Sequence, residues 1–278
     1  MIKIEKVEVS GAEPAIRGMR NSFNSWDKSD TELGCESDTC KDCSFKPEYC
    51  GNTPGWVFGD NDLALMKKLS HGGGCVKVGS HAKYRRFIIV TLDITAPLYW
   101  WKEFDTYKIG TVANSCSTMH TIADKEFEPS DFSCEHLFTR SVDDGTTVLD
   151  ITDKQLFAVD VDGNKCLYTS YGFLSMICDC LNYWRDLYLE TKDKKYWWQM
   201  IQLLPSSYNQ KRTVQLNYEV LNAIYYDRRL HKLDEWREFC KWIESLPYAR
   251  GIIVEELGTK EEEIAKAVLE ASFGEEEE

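Results

Sequence analysis

Cys35, Cys40, Cys43 and Cys50 give the spacing C-x4-C-x2-C-x6-C. Four thiolates in one short segment suit tetrahedral zinc, and closing such a loop on a metal can replace a missing apolar core. The first three spacings also match a plant-type iron–sulfur run, but the fourth cysteine comes too soon for it. Free thiols or an internal disulfide are the other reading. Elsewhere, Asn114-Ser115-Cys116-Ser117 forms a polar loop. Its thiol becomes a nucleophile if a cation such as Lys108 or His120 lowers its pKa, and is otherwise an inert buried cysteine. His81, with Lys83, Arg85 and Arg86 close behind, presents either a small basic patch for an anion or a solvated strand edge. Trp100-Trp101 and Trp197-Trp198 can stack on a flat ring, or fill a core or a subunit interface. Asp160 to Asn164 lacks the ligand series of a calcium loop and reads as a turn. His120, His136 and His231 have no metal-ligand spacing, and Gly72 to Gly74 lack the Lys-Ser/Thr of a P-loop.

Composition bounds what these residues can serve. The 278 residues include 43% hydrophobic side chains and only 17 Gly and 7 Pro, so the chain folds around a sizeable core. Net charge is −13, of which −8 falls between Glu255 and Glu278, leaving −5 for the first 254 residues. So mildly acidic a body argues against a groove that tracks a polynucleotide, yet it permits a nucleotide site with a few local cations. MIKIEKVEV alternates apolar and charged residues, and no apolar run reaches a membrane-spanning length. The expectation is a cytoplasmic protein with reduced thiols and no membrane partner.

The elements that must position these groups follow from periodicity. Ile2 to Val9 alternates as a strand, and Glu13 to Phe23 carries Ile16, Met19 and Phe23 at helical spacing. Asn24 to Gly59 is an irregular, cysteine-rich insertion, followed by a helix over Asn61 to Leu69. Arg86 to Asp93 has the composition of a buried strand, and Pro97 opens a helix over Leu98 to Phe104. Asp143 to Cys166 reads as a hairpin arm. Helices follow over Leu167 to Leu189, over Lys194 to Leu203 until Pro205, and as a pair from Leu216 to Ile243 that breaks near His231. Beyond Pro247 comes an acidic extension with one amphipathic stretch, Lys260 to Leu269. The expected organisation is one domain over 1–250, carrying the insertion 24–59 and the arm 143–166, then the extension 251–278.

Ser80-His81 ahead of a long strand, a helix, the polar Asn114 to Ser117 loop, Leu203-Leu204-Pro205, then Asn217 with Arg228 eleven residues on, resemble in order and pattern the flavin-dependent thymidylate synthase (ThyX) family. The resemblance runs from about Ser80 to Pro247, with Met1 to Phe23 fitting the family's first strand and helix. It implies an α+β fold with an antiparallel sheet packed by long helices, and a homotetramer. The family's Arg-His-Arg and following Ser, which bind flavin and dUMP, align with Thr106-Tyr107-Lys108 and Thr111. Arg86-Phe87 stands where the family has Glu-His, and Asp234 and Trp236 stand where it usually shows Gln and Glu.

The resemblance implies a divergent flavin-dependent enzyme that moves a one-carbon unit onto a pyrimidine deoxynucleotide such as dUMP and reduces it with FAD. Arg228, Thr111 and Cys116 are then the catalytic candidates; Cys116 enters because the other thymidylate synthase class attacks uracil with a cysteine. His81, Arg86, Lys108 and Asn217 face the cofactor, and Asn114, Ser115 and Ser117 the nucleotide. Lysine is a point charge without arginine's planar fork, so Lys108 holds phosphate with less orientation than the residue it replaces. The alternative implied by the same departures is a nucleotide-binding or assembly protein that kept the scaffold and lost the flavin chemistry.

Overall fold

The structure, a computed structural model, describes residues 2–34, 55–70, 81–138, 157–159, 165–167 and 169–254. Its strands are β1 (Lys3–Ser10), β2 (Glu32–Gly34), β3 (Gly55–Val57), β4 (Ile89–Pro97), β5 (Val112–Ser115), β6 (Phe157–Val159), β7 (Lys165–Leu167) and β8 (Asn209–Asn217). Its helices are α1 (Ala12–Arg20), α2 (Asp60–Ser70), α3 (Leu98–Phe104), α4 (Thr118–Thr121), α5 (Ser170–Thr191), α6 (Lys194–Leu203), α7 (Tyr218–Arg228) and α8 (Asp234–Glu244). The fold is α+β, with a four-stranded antiparallel sheet in the order β1-β4-β8-β5. Two small antiparallel pairs stand apart from it, β2 with β3 and β6 with β7. The second pair is in register Phe157↔Leu167, while the rest of the expected arm over 143–166 lies outside the described residues.

The chain divides into two compact units, the first of Met1–Lys3, Ile94–Asp105 and Asn114–Arg212, the second of Ile4–Asp93, Thr106–Ala113 and Thr213–Glu278. In the first unit, Ile122, Phe127 and Phe132 pack with Leu174, Cys178 and Leu181 of α5 and Met200 of α6. Trp100 and Trp101 of α3 are fully buried, which decides between core and ligand platform for that pair. Thr169 caps α5 by accepting from Gly172 N at 3.0 Å.

In the second unit, Ala15, Ile16 and Met19 form the buried stripe of α1, while Val214 and Leu216 of β8, Leu221 and Ile224 of α7, and Trp236, Phe239 and Ile243 of α8 fill the core. Gly11 enters α1 at φ +89, where a Cβ would sit 1.9 Å from the Phe87 carbonyl oxygen, so only glycine fits.

Several expectations shift. The first helix stops at Arg20, and Phe23, in the 3-10 turn that follows, is exposed because that turn rotates it off the buried stripe. Arg86 belongs to a 3-10 turn over Lys83–Arg86, and the strand runs from Ile89 to Pro97. Leu216 lies in β8, which runs to Asn217, and the following helix begins at Tyr218. The predicted loop at Asn114 and Ser115 is the end of β5. Cys35, Cys40, Cys43, Cys50, Gly72 to Gly74, Asp160 to Asn164 and the stretch 260–269 lie outside the described residues. Among the described residues no cluster of three or more His, Cys, Asp or Glu can hold a metal, and no helix is long and apolar enough to cross a membrane.

Candidate functional site

Residues 106–111 are pinned to α7 within the second unit. Arg228 Nε donates to the Tyr107 hydroxyl at 2.9 Å, and that hydroxyl donates to Asp227 Oδ2 at 3.2 Å. The Arg228 guanidinium carbon lies 4.9 Å from the Trp236 ring centre and 5.7 Å from that of Tyr107. Arginine over aromatic faces is held in place without losing its charge. Burial pushes the Tyr107 hydroxyl above the usual tyrosine range and Asp227 adds to this, against the pull of Arg228, so it stays a neutral donor. Tyr107 thus ties the loop to Arg228, and Trp236 is the platform beneath that arginine.

Gly110 brings the loop's backbone to the start of α7. At φ +81 its Cβ would meet Asn217 Nδ2 at 3.0 Å and Val220 Cγ2 at 3.1 Å. Asn217 is the N-cap: its Oδ1 accepts from Glu219 N at 3.1 Å and Val220 N at 3.0 Å. The Asn217 oxygen is therefore committed to the helix, leaving Nδ2 as the group turned toward Gly110. Asn217→Ala is expected to cost about 1 kcal/mol, whereas Asn217→Asp keeps the acceptor and the stability while removing the amide donor. Thermal unfolding of the two variants checks this; equal losses would show that the cap is not what Asn217 contributes. Thr111 Oγ1, one residue on from Gly110, is buried without a hydrogen-bond partner among the described residues. Lys108 is exposed.

The basic run after His81 sorts itself by the 3-10 turn. Arg85 turns inward and is buried, its Nη1 3.6 Å from Glu219 Oε2 in the first turn of α7. Lys83 and Arg86 are exposed and, with the half-exposed ring of Phe87, line an open concavity of about 270 Å³. His81 is exposed two residues earlier. Two cations beside an accessible ring face suit an anion that carries a flat group.

Asn114, Ser115, Cys116 and Ser117 belong to the first unit, and residues that the sequence reading passed over hold them. Cys116 N donates to the Lys211 carbonyl at 2.9 Å. Gln210 Nε2 donates to the Cys116 carbonyl and to Thr118 Oγ1, both at 3.1 Å. Arg212 Nε in turn donates to Gln210 Oε1 at 3.0 Å, its Nη1 bonds Asp105 Oδ1 at 2.7 Å, and its guanidinium lies 4.2 Å over Trp101. This relay from Asp105 through Arg212 and Gln210 fixes the backbone at Cys116. Asn114, Ser115 and Cys116 present exposed side chains, and Ser117 is half-buried at the N-cap of α4. The Cys116 thiol is exposed, 3.7 Å from Thr121 Oγ1, so it is not the inert core cysteine that composition alone favours. The alternation through Thr213, Val214, Gln215 and Leu216 was the available signal for the strand that carries Gln210 and Arg212.

No protein-family model and no curated protein sequence matches the chain. Among solved structures, the flavin-dependent thymidylate synthase ThyX from Helicobacter pylori complexed with FAD and dUMP aligns with a TM-score of 0.52 at 15% identity, over 91% of this chain and 98% of that one. A second H. pylori ThyX structure with FAD and dUMP gives 0.52 at 16% identity, over 92% and 98%. The UMP/dUMP methylase PolB from Streptomyces cacaoi, bound with 5-Br UMP, gives 0.49 at 11% identity, over 88% of each chain. Nearly the whole of the H. pylori chain finds its counterpart here at an identity too low to carry function. The chain has the fold of the ThyX flavin-dependent thymidylate synthases.

Proposed function

We propose that the chain is a divergent flavin-dependent thymidylate synthase-like enzyme acting on a pyrimidine deoxynucleotide of the dUMP type. The observation that carries this reading is the fold shared over almost the full length of the H. pylori ThyX chain, seen in two structures with FAD and dUMP. In the second unit, Arg228 supplies a fixed cation for a nucleotide and Thr111 an uncommitted hydroxyl. In the first unit, Ser115 and Ser117 offer hydroxyls for phosphate oxygens, Asn114 an amide for a ring edge, and Cys116 an accessible thiol.

The residues fit the anionic part of a flavin: Arg86 beside the Phe87 face, with His81 and Lys108 exposed as further donors and Asn217 Nδ2 turned toward the loop. A bound flavin would supply the hydride that converts the transferred carbon to a methyl group. The chain's own part is to neutralise phosphate with Arg228 and Lys108, to orient the base, and to hold Tyr107 as a neutral donor. With this reading go a homotetramer in the cytoplasm, and zinc on Cys35, Cys40, Cys43 and Cys50.

A second reading is a ThyX-shaped nucleotide-binding or assembly protein without flavin chemistry. It is favoured by Thr106-Tyr107-Lys108, where only one cation is kept and Tyr107 is spent on Arg228. The absorbance spectrum with added FAD, followed by thermal shift against dUMP, dCMP and dTMP, separates the two. Flavin bands retained through gel filtration with dUMP-dependent stabilisation are expected. Nucleotide stabilisation without flavin would support the second reading, and neither signal would overturn both.

A further inference from the structure

β8 places Gln210 and Arg212 two residues apart, so their side chains share one face of the strand. Arg212 is held there on three sides. Its Nη1 is 2.7 Å from Asp105 Oδ1, its guanidinium carbon lies 4.2 Å over the Trp101 ring, and its Nε donates to Gln210 Oε1 at 3.0 Å. Trp101 also holds the next member of the relay, because its indole Nε1 donates to the Gln210 backbone carbonyl at 2.9 Å. The Arg212 side chain is 15% exposed and that of Asp105 52%, so water screens the carboxylate far more than the guanidinium.

The sense of the Gln210 amide follows from the chemistry of its neighbours. Arg212 Nε can only donate and the Cys116 carbonyl can only accept, so Oε1 faces the guanidinium and Nε2 faces residues 116–118. Both amide hydrogens are then used, one on the Cys116 carbonyl and one on Thr118 Oγ1, each at 3.1 Å. A hydroxyl that accepts from an amide directs its own hydrogen elsewhere. Among the described residues nothing accepts the Thr118 hydrogen, and the residue is only half-buried. From Arg212 the bonds thus run in one direction, cation to amide to hydroxyl, and end on a donor without an acceptor. Hydrogen bonds in such a chain polarise one another, which makes this hydroxyl a stronger donor than an isolated threonine.

We infer that Thr118 is a binding residue for an oxygen acceptor of the ligand, a phosphate oxygen or a ring carbonyl, and that Arg212 acts on it through Gln210 as a positioning residue. The polarity of the relay decides the class of group: a positive charge behind successive donors favours an anionic or carbonyl oxygen and disfavours an ammonium group. Asn114, Ser115 and Cys116 present exposed side chains on the same segment. The inference rests on the reading that this segment faces a nucleotide, and it deepens that reading by naming the hydroxyl that meets an oxygen and the cation that drives it.

Calorimetric titration of dUMP into the full chain tests it. Thr118→Val keeps the branched shape without the hydroxyl and should weaken dUMP about 10- to 30-fold, while Thr118→Ser should stay within about 3-fold of the wild type. Gln210→Glu puts an acceptor where the amide donated and turns the Thr118 hydrogen inward, so it should cost as much as Thr118→Val. Arg212→Met strips the charge and frees the amide to rotate, at a cost of about 3- to 10-fold. Added to Thr118→Val, neither change should cost more, because all act through one hydroxyl; additive losses would overturn the relay. Deoxyuridine in place of dUMP names the oxygen: a Thr118→Val loss confined to dUMP assigns the phosphate, and an equal loss assigns a ring carbonyl. A wild type that binds dUMP with Thr118→Val unchanged would overturn the inference and leave the nucleotide reading standing, whereas a wild type that binds no pyrimidine nucleotide would remove both. Should Gln210→Glu or Arg212→Met fail to fold, Thr118→Val and Thr118→Ser decide alone.

Discussion

Asp62→Ala is expected to remove about 3–5 kcal/mol of stability and to lower the melting temperature by roughly 10 °C, although Asp62 lies outside every candidate site. Its carboxylate is fully buried and accepts at both oxygens. Arg20 Nε donates to Oδ1 at 2.6 Å, with Arg20 Nη2 also 2.6 Å from it, while Ser29 Oγ and Thr31 Oγ1 donate to Oδ2 at 2.7 Å each. Truncation leaves a buried guanidinium, only 4% exposed, and two hydroxyls without their acceptor. Removing both charges together, as Arg20→Met with Asp62→Leu, should cost less than Asp62→Ala alone, because the penalty comes from the stranded charge.

The same carboxylate sets an acid limb. Burial raises its pKa, but the hydrogen bonds from Thr31, Ser29 and Arg20 outweigh burial, and the folded value lies below the ordinary 3.8. A group with a depressed folded pKa stabilises fully above the unfolded value and loses that contribution as pH falls through the folded one. Urea unfolding at neutral pH and below 3.8 should therefore show a steeper acid loss in the wild type than in Asp62→Ala. Parallel pH profiles would remove Asp62 from the account.

Which parts of this architecture were legible in advance depended on how local their cause was. Pro97 at the entry of α3 and the apolar run from Ile88 to Leu92 follow from fixed φ and strand composition within a few residues. β8 was legible only at its end, where Thr213 to Leu216 alternate; Asn209 to Arg212 is polar, and the hydrogen-bonded neighbours that stabilise it are far away in sequence. Arg85 and Arg86 are chemically alike and adjacent, yet a 3-10 turn sends one to Glu219 and leaves the other exposed. The Asp105–Arg212–Gln210 relay spans more than a hundred residues and has no spacing to read. Asp62 gave no signal either, since its partners lie on α1 and in the irregular segment ahead of β2.

Arg228→Ala is expected to weaken dUMP binding on the order of 100-fold, the effect of losing a charge-assisted contact to phosphate or base together with the anchor of residues 106–111. The two contributions separate cleanly. Tyr107→Phe keeps the ring beside Trp236 and removes only the 2.9 Å bond to Arg228 Nε and the bond to Asp227, so it should cost about 3- to 10-fold. Arg228→Lys retains the charge without the planar fork and should fall between them. Because a phosphate contact is screened by salt and a loop anchor is far less so, the gap between wild type and Arg228→Ala should narrow as ionic strength rises, while the effect of Tyr107→Phe stays constant. Calorimetric titration of dUMP into the three variants at two salt concentrations reads all of this. A Tyr107→Phe loss as large as that of Arg228→Ala would make Arg228 a positioning residue that acts through Tyr107. Unchanged affinity in a folded Arg228→Ala would leave the Tyr107–Arg228–Trp236 stack as structure alone and remove the fixed cation from the nucleotide reading.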